Sequence, residues 1–145
     1  MANATTAFGF RPVKPPDPSS LMTVCLLANY ATDVFIGDAV IPGGSAEIIN
    51  GYMTVTRAAA GDANTMGVIV GFEPQSPDGV TGLVSRYGAA STLRYAKIVP
   101  NYSNVIFEVM ADAAIAITDI GNGFDLVATA GSTVTGFSGM VLGVS

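Results

Sequence analysis

Met66-Gly67-Val68-Ile69-Val70-Gly71-Phe72 is the stretch whose reading decides the fold. It carries no charge and is almost continuously apolar, and its branched residues are Val and Ile, which are stiff at χ1 and suit a pleated surface. A run this short, followed by Glu73-Pro74, reads as a central strand buried on both sides. Upstream, Tyr52-Met53-Thr54-Val55-Thr56 has the polar/apolar alternation of a half-buried strand. Further runs of similar length lie at Thr23–Asn29, Val34–Pro42, Glu47–Arg57, Leu93–Pro100, Asn104–Ala111, Asp125–Ala130 and Gly139–Val144. Between them sit Gly43-Gly44, Gly61-Asp62, Pro77-Asp78-Gly79 and Gly121-Asn122-Gly123, which supply the positive-φ positions of tight turns. Val, Ile and Thr together number 39 against 7 Leu. The chain therefore reads as all-β, a small β-barrel or sandwich. Ala111–Ile120, with Ile115, Ile117 and Ile120, reads as loop or helical turn, and Pro74–Arg86 as a long exposed loop.

Composition narrows the function. The 145 residues carry a net charge of −5 and only 12% charged residues, with half the chain apolar. An average soluble domain is about 25% charged, so much of the exterior is expected to be covered by a partner or by further copies of the chain. Disorder of the body is excluded, because it requires high charge and low hydrophobicity. Nucleic-acid binding wants a basic stripe that an acidic chain with scattered Arg and Lys does not offer. With no His there is no Ser-His-Asp triad and no imidazole metal site, and one Cys makes neither an intrachain disulfide nor a thiolate cluster. The longest charge-free run, Leu126–Ser145, holds four Gly and six Ser or Thr. It is no membrane helix, and the N-terminus lacks the basic flank and apolar core of a signal peptide. The expectation is a soluble chain with no metal, cofactor, membrane or small-molecule substrate.

The same reasoning applies to individual residues. Asp112, Asp119 and Asp125 lack the spacing of a cation loop and read as turn formers. Cys25 reads as a small buried hydrophobe. Arg86 and Arg94, flanking Tyr87 and Tyr95, read either as interface anchors or as solvated strand-edge residues. The nearest enzyme class is the trimeric deoxyuridine triphosphatases, whose glycine-rich C-terminal motif Ala130–Gly139 superficially resembles. Those enzymes also need a strand-borne carboxylate to polarise the attacking water. In Gly67-Val68-Ile69-Val70-Gly71 that position is Val70.

The first 21 residues differ from the rest. Four of the eight prolines (Pro12, Pro15, Pro16 and Pro18) fall there, and they fix φ and remove donors, so the segment is expected to be extended. Ahead of the last three stands Phe8-Gly9-Phe10-Arg11-Pro12-Val13. One reading is a frayed tail; the other is an arm, residues 1–21, that docks its phenylalanines on a partner while a β-rich domain, residues 22–145, folds by itself. On the second reading Phe8, Phe10, Arg11, Pro12 and Val13 are the candidate binding residues.

Phe8–Val13, Phe35-Ile36-Gly37-Asp38-Ala39-Val40, Val55-Thr56-Arg57-Ala58 with Gly61-Asp62, Gly67–Pro74, Ala90–Tyr95, Val105–Val109 and Gly131–Gly139 occur in an order that resembles the capsid decoration, or cement, proteins of tailed bacteriophages. The resemblance spans most of the chain and rests on the ordered set rather than on any one segment. It implies a non-enzymatic virion protein, made in the host cytoplasm and bound to the outer surface of an icosahedral head. There it would act as a homotrimer bridging major capsid proteins, with Phe8–Val13 contacting the capsid. A β-module of a tail fibre or receptor binder is the alternative, and would show exposed aromatic or acidic sugar-binding loops.

Overall fold

The computed structural model describes residues 6–13, 20–77, 85–101 and 104–144. Five of its strands close into a barrel: β2 (Met22–Leu26), β3 (Ala39–Ala46), β4 (Met53–Arg57), β5 (Gly67–Phe72) and β6 (Arg94–Pro100), in the order β2-β4-β3-β5-β6. Neighbours pair antiparallel except β2 and β4, which meet in parallel at the single pair Cys25↔Thr54. Two short antiparallel pairs lie outside: β1 (Arg11–Pro12) on β7 (Phe107–Glu108), and β8 (Asp125–Val127) on β9 (Val141–Gly143). No α-helix occurs among the described residues, and Ala111–Ile120 forms a loop with a 3-10 turn at Ile117–Asp119. The all-β barrel expected from the β-branched composition is what forms.

Side chains fill a barrel this small. Val24, Leu26, Val34, Val40, Val55, Ile69, Ala96 and Ile98 form one buried cluster. The period of two is plain along β6, where Arg94, Ala96 and Ile98 are buried while Tyr95 and Lys97 are half-exposed. Outside the wall a second cluster joins Ala39, Ala58, Leu126 and Met140, with Phe10, Ile41 and Ala128 against it. The 66–72 stretch serves both sides of the wall: Ile69 belongs to the barrel interior, and Val68, also buried, lines a cavity with Phe10 and Leu126. Its full burial ends there, because the register with β6 shifts between Ile69 and Gly71, and Val70–Phe72 are half-buried.

Two expectations need correction. The run Glu47–Arg57 is not one strand: only Met53–Arg57 is β4, and Glu47–Tyr52 is the turn that joins it to β3. Glu47 forces the break, since its carboxylate accepts the backbone N–H groups of Ile49 (2.6 Å), Asn50 (2.8 Å) and Tyr52 (3.1 Å). Secondly, residues 6–13 are not an arm separate from the 22–145 domain but pack against it. Phe10 packs on the second cluster, its N–H donates to the Gly37 carbonyl (2.8 Å), and the Val13 N–H donates to Ile106 (2.9 Å). A half-buried Phe with satisfied backbone neighbours is more stable on the wall than in water. Of the expected arm, residues 1–5 and 14–19 lie outside the described residues.

Candidate interaction surface

Three of the glycine-containing segments picked out in the sequence meet at one place. Gly9 (φ +72°) and Gly37 (φ +95°) lie backbone to backbone. A Cβ on Gly9 would stand 2.5 Å from the Gly37 carbonyl oxygen and from the Ser138 Cβ, and one on Gly37 would stand 2.6 Å from the Phe8 oxygen. Only glycine tolerates both the approach and the dihedral. The 131–139 segment reaches the same point. Ile36 bridges to Phe137 in parallel, its N–H donating to Gly136 (2.9 Å) while the Ser138 N–H donates back to Ile36 (2.8 Å).

Asp38 ties two of these segments, its own and 131–139, to Arg57 at the end of β4. It is fully buried and accepts the Phe35 N–H (2.8 Å), the Arg57 Nε–H (3.0 Å) and the Ser138 hydroxyl (2.5 Å). Arg57 also donates to the Thr129 carbonyl, and the Ala39 N–H points at the Met140 sulfur (3.3 Å). Burial pushes the Asp38 carboxyl above its ordinary pKa, while Ser138, Arg57 and the Phe35 N–H pull it back without cancelling the rise. This is a structural knot, because both Asp38 carboxylate oxygens are taken up by other parts of the fold.

On this base the N-terminal segment runs across the wall. Arg11 sits over the Phe8 ring (4.8 Å) and pairs with Glu108 (2.7 Å), both charges being largely in water. Phe10 meets Phe107 edge to face, with ring centroids 6.5 Å apart. The sequence treated Phe8, Phe10, Arg11, Pro12 and Val13 as one set, and the fold divides them. Phe10 faces the second core cluster, Phe8 and Pro12 are half-buried, and Arg11 and Val13 are exposed. Phe8, Arg11 and Pro12, together with Phe10, line an apolar groove of about 390 Å³, with Ile36, Val70 and the half-exposed Phe137 among the other residues of its wall. Phe137 was not singled out from sequence; it lies in the Gly/Ser/Thr-rich 131–139 stretch, where a lone aromatic was the available signal.

Most of the remaining candidates resolve as structural, while Arg86 is exposed. Cys25 is buried, and burial first, then the Glu47 carboxylate, push its thiol up to about 11. Arg94 is neither solvated nor an anchor at an interface. It is 3% exposed, lies over Phe72 (5.1 Å), and donates to the carbonyls of Glu73, Ser85 and Tyr87. Burial lowers its pKa from the ordinary guanidinium value. Asp119 accepts the Ala116 N–H three residues before it, as a turn former does, whereas Asp112 accepts the distant Val144 N–H and Asp125 opens β8. Val70 is half-buried beside the β5 irregularity and brings no carboxylate to the groove.

No protein family, curated protein or solved structure matches the chain.

Proposed function

We propose that this chain is a structural virion protein, not an enzyme, that binds the outer surface of an icosahedral phage head and cements contacts between major capsid proteins as a homotrimer. The observation that carries the proposal is the groove built by the N-terminal segment. Half-exposed Phe8 and Phe137 flank it, Arg11 stands at its edge, and the neighbouring Val13 (58%) and Ile106 (64%) are left in water. A soluble monomer gains nothing from a contiguous apolar face of this kind, whereas an interface anchored by aromatics and Arg does. The resemblance of the ordered segments to decoration proteins supplies the identity of the partner. Three such faces per trimer add avidity to individually modest contacts. Self-association is supported by other exposed residues, Ile48, Ile117, Ile120 and Val134, together with the low charge.

The test is co-sedimentation with purified undecorated heads. Wild-type protein should pellet with heads and saturate at a fixed ratio to capsid protein, and Phe8→Ala with Phe137→Ala should weaken binding by two decades or more. That figure follows from about 1.5–3 kcal/mol for each fully buried ring. Protein that stays in the supernatant at every head concentration would remove the capsid assignment.

A further inference from the structure

A second concavity lies elsewhere on the barrel and has a different chemistry. It is a cleft of about 380 Å³ between the 47–52 turn and the start of the segment after β5, floored by β6. That volume falls in the range of small-molecule sites, about 300–1,000 Å³. Asn50, Tyr52, Glu73, Gln75, Tyr95 and Lys97 line it.

We propose that this cleft is a binding site for a neutral saccharide. The argument begins with Tyr52, which is 39% exposed yet firmly held. Its N–H donates to the Glu47 carboxylate (3.1 Å), its carbonyl accepts the Glu47 N–H (2.9 Å), and its ring meets Tyr95 edge to face at 5.0 Å and 80°. Tyr95 is fixed in turn, its hydroxyl donating to Glu47 (3.1 Å) and accepting from Asn50 (2.7 Å). An aromatic fixed before a ligand arrives loses little conformational freedom on binding. Its exposed ring surface offers apolar contact of the kind that the C–H side of a pyranose ring takes.

The polar lining selects the rest. Glu73 and Lys97 pair at 3.3 Å, each side chain a little under two-fifths exposed. Their charges cancel, and a chain of net charge −5 repels polyanions, so an ionic ligand has nothing to recognise. Lys97 has three donors, of which one goes to Glu73 and one to Thr23 (2.5 Å); the third remains for a ligand. With the Glu73 carboxylate and the planar amides of Asn50 and Gln75, this gives side-by-side donors and acceptors, the pattern that vicinal hydroxyls satisfy. The inference is independent of the capsid assignment, since the cleft shares no residue with the Phe8–Phe137 groove.

The experiment is saturation-transfer NMR on the full chain with glucose, galactose, mannose and N-acetylglucosamine as separate probes. At least one sugar should receive transfer, with a dissociation constant in the millimolar range. Tyr52→Ala should weaken it by roughly tenfold, the scale of one lost aromatic contact, and Tyr52→Phe should retain it. Gln75→Ala, an exposed change outside both cores, should weaken it too, and it decides the matter if Tyr52→Ala fails to fold. Absence of transfer to all four sugars, transfer unchanged in Gln75→Ala, or transfer abolished by inorganic phosphate would each overturn the proposal.

Discussion

Asp38 and Glu47 are both buried carboxylates, at 0% and 5% exposure, and they respond to acid in opposite ways. Asp38 holds Arg57, Ser138 and the Phe35 turn at once. Asp38→Ala should therefore cost about 3–5 kcal/mol, the usual result of leaving a buried partner charge unpaired, read as a lowered urea midpoint. Because burial raises its folded pKa, the protonation-linked part of its contribution is full below the ordinary Asp range and is lost as pH rises through the folded value, leaving the bonds to Arg57, Ser138 and Phe35. Glu47 runs the other way. Desolvation pushes its carboxyl up, but the N–H groups of Tyr52, Ile49 and Asn50 and the Tyr95 hydroxyl outweigh it, and the net pKa is lowered. Its contribution is present above the ordinary Glu value of about 4.3 and is lost as pH falls through the depressed folded value. Urea midpoints measured from neutral pH down through the carboxylate range should thus fall less steeply in Glu47→Gln than in wild type. Equal slopes would mean that the turn does not discriminate the ionised carboxylate.

Among the elements, the N-terminal segment and its partner strand define separable roles. Phe10 packs on Ala39, Ala58, Leu126 and Met140, and Phe10→Ala should cost about 2 kcal/mol, somewhat under the 3–5 kcal/mol of a fully buried Phe. Phe8→Ala and Arg11→Ala should stay within about 1 kcal/mol, since the Arg11–Glu108 pair is largely exposed and such pairs add little. Thermal melts of the three variants separate the two cases, and comparable losses in all three would show the segment to be structural throughout. β6 was legible because burial on one face imposes a period of two, and β5 because its run is continuously apolar; β4 departs from the expected alternation, burying Thr54 beside Val55 and exposing Met53. The Phe8–Val13 docking was not legible. Two Phe beside prolines look the same whether they meet a partner or the chain's own wall, and what decides is Gly37, 28 residues away from Gly9 by number. Asn104–Ala111 read as a full strand but contributes only Phe107–Glu108, because it adds to β1 at the periphery rather than to the barrel, where pairing on both edges would extend it. The groove shares this origin: Phe8 and Arg11 were visible in advance, while Phe137 is brought in by the Ile36 bridge, a contact no local pattern announces.

For the molecule as a whole, the deciding quantity is how little charge covers a chain this apolar. Twelve per cent charged residues leave Ile117 (84% exposed) and Ile120 (78%) on the 3-10 turn with water as their only cover in the single chain. Neither belongs to the two core clusters. Replacing both by Glu should therefore leave the fold intact, within about 0.5 kcal/mol per site, the usual range for surface changes away from special features. In an assembly that covers this turn the same substitutions place carboxylates in an apolar contact. Burying an unpaired charge costs several kcal/mol, so trimers should give way to monomers. Sedimentation equilibrium at micromolar concentration reads this directly, with far-UV circular dichroism confirming that the barrel persists. A trimeric mass for wild type and a monomeric mass for the double variant would assign the turn to the subunit interface. A trimeric mass for both would move the interface to another exposed apolar site, such as Ile48 at the 47–52 turn, and would separate the self-association surface from the 111–120 loop. A monomeric wild-type mass with no concentration dependence would remove the free trimer altogether.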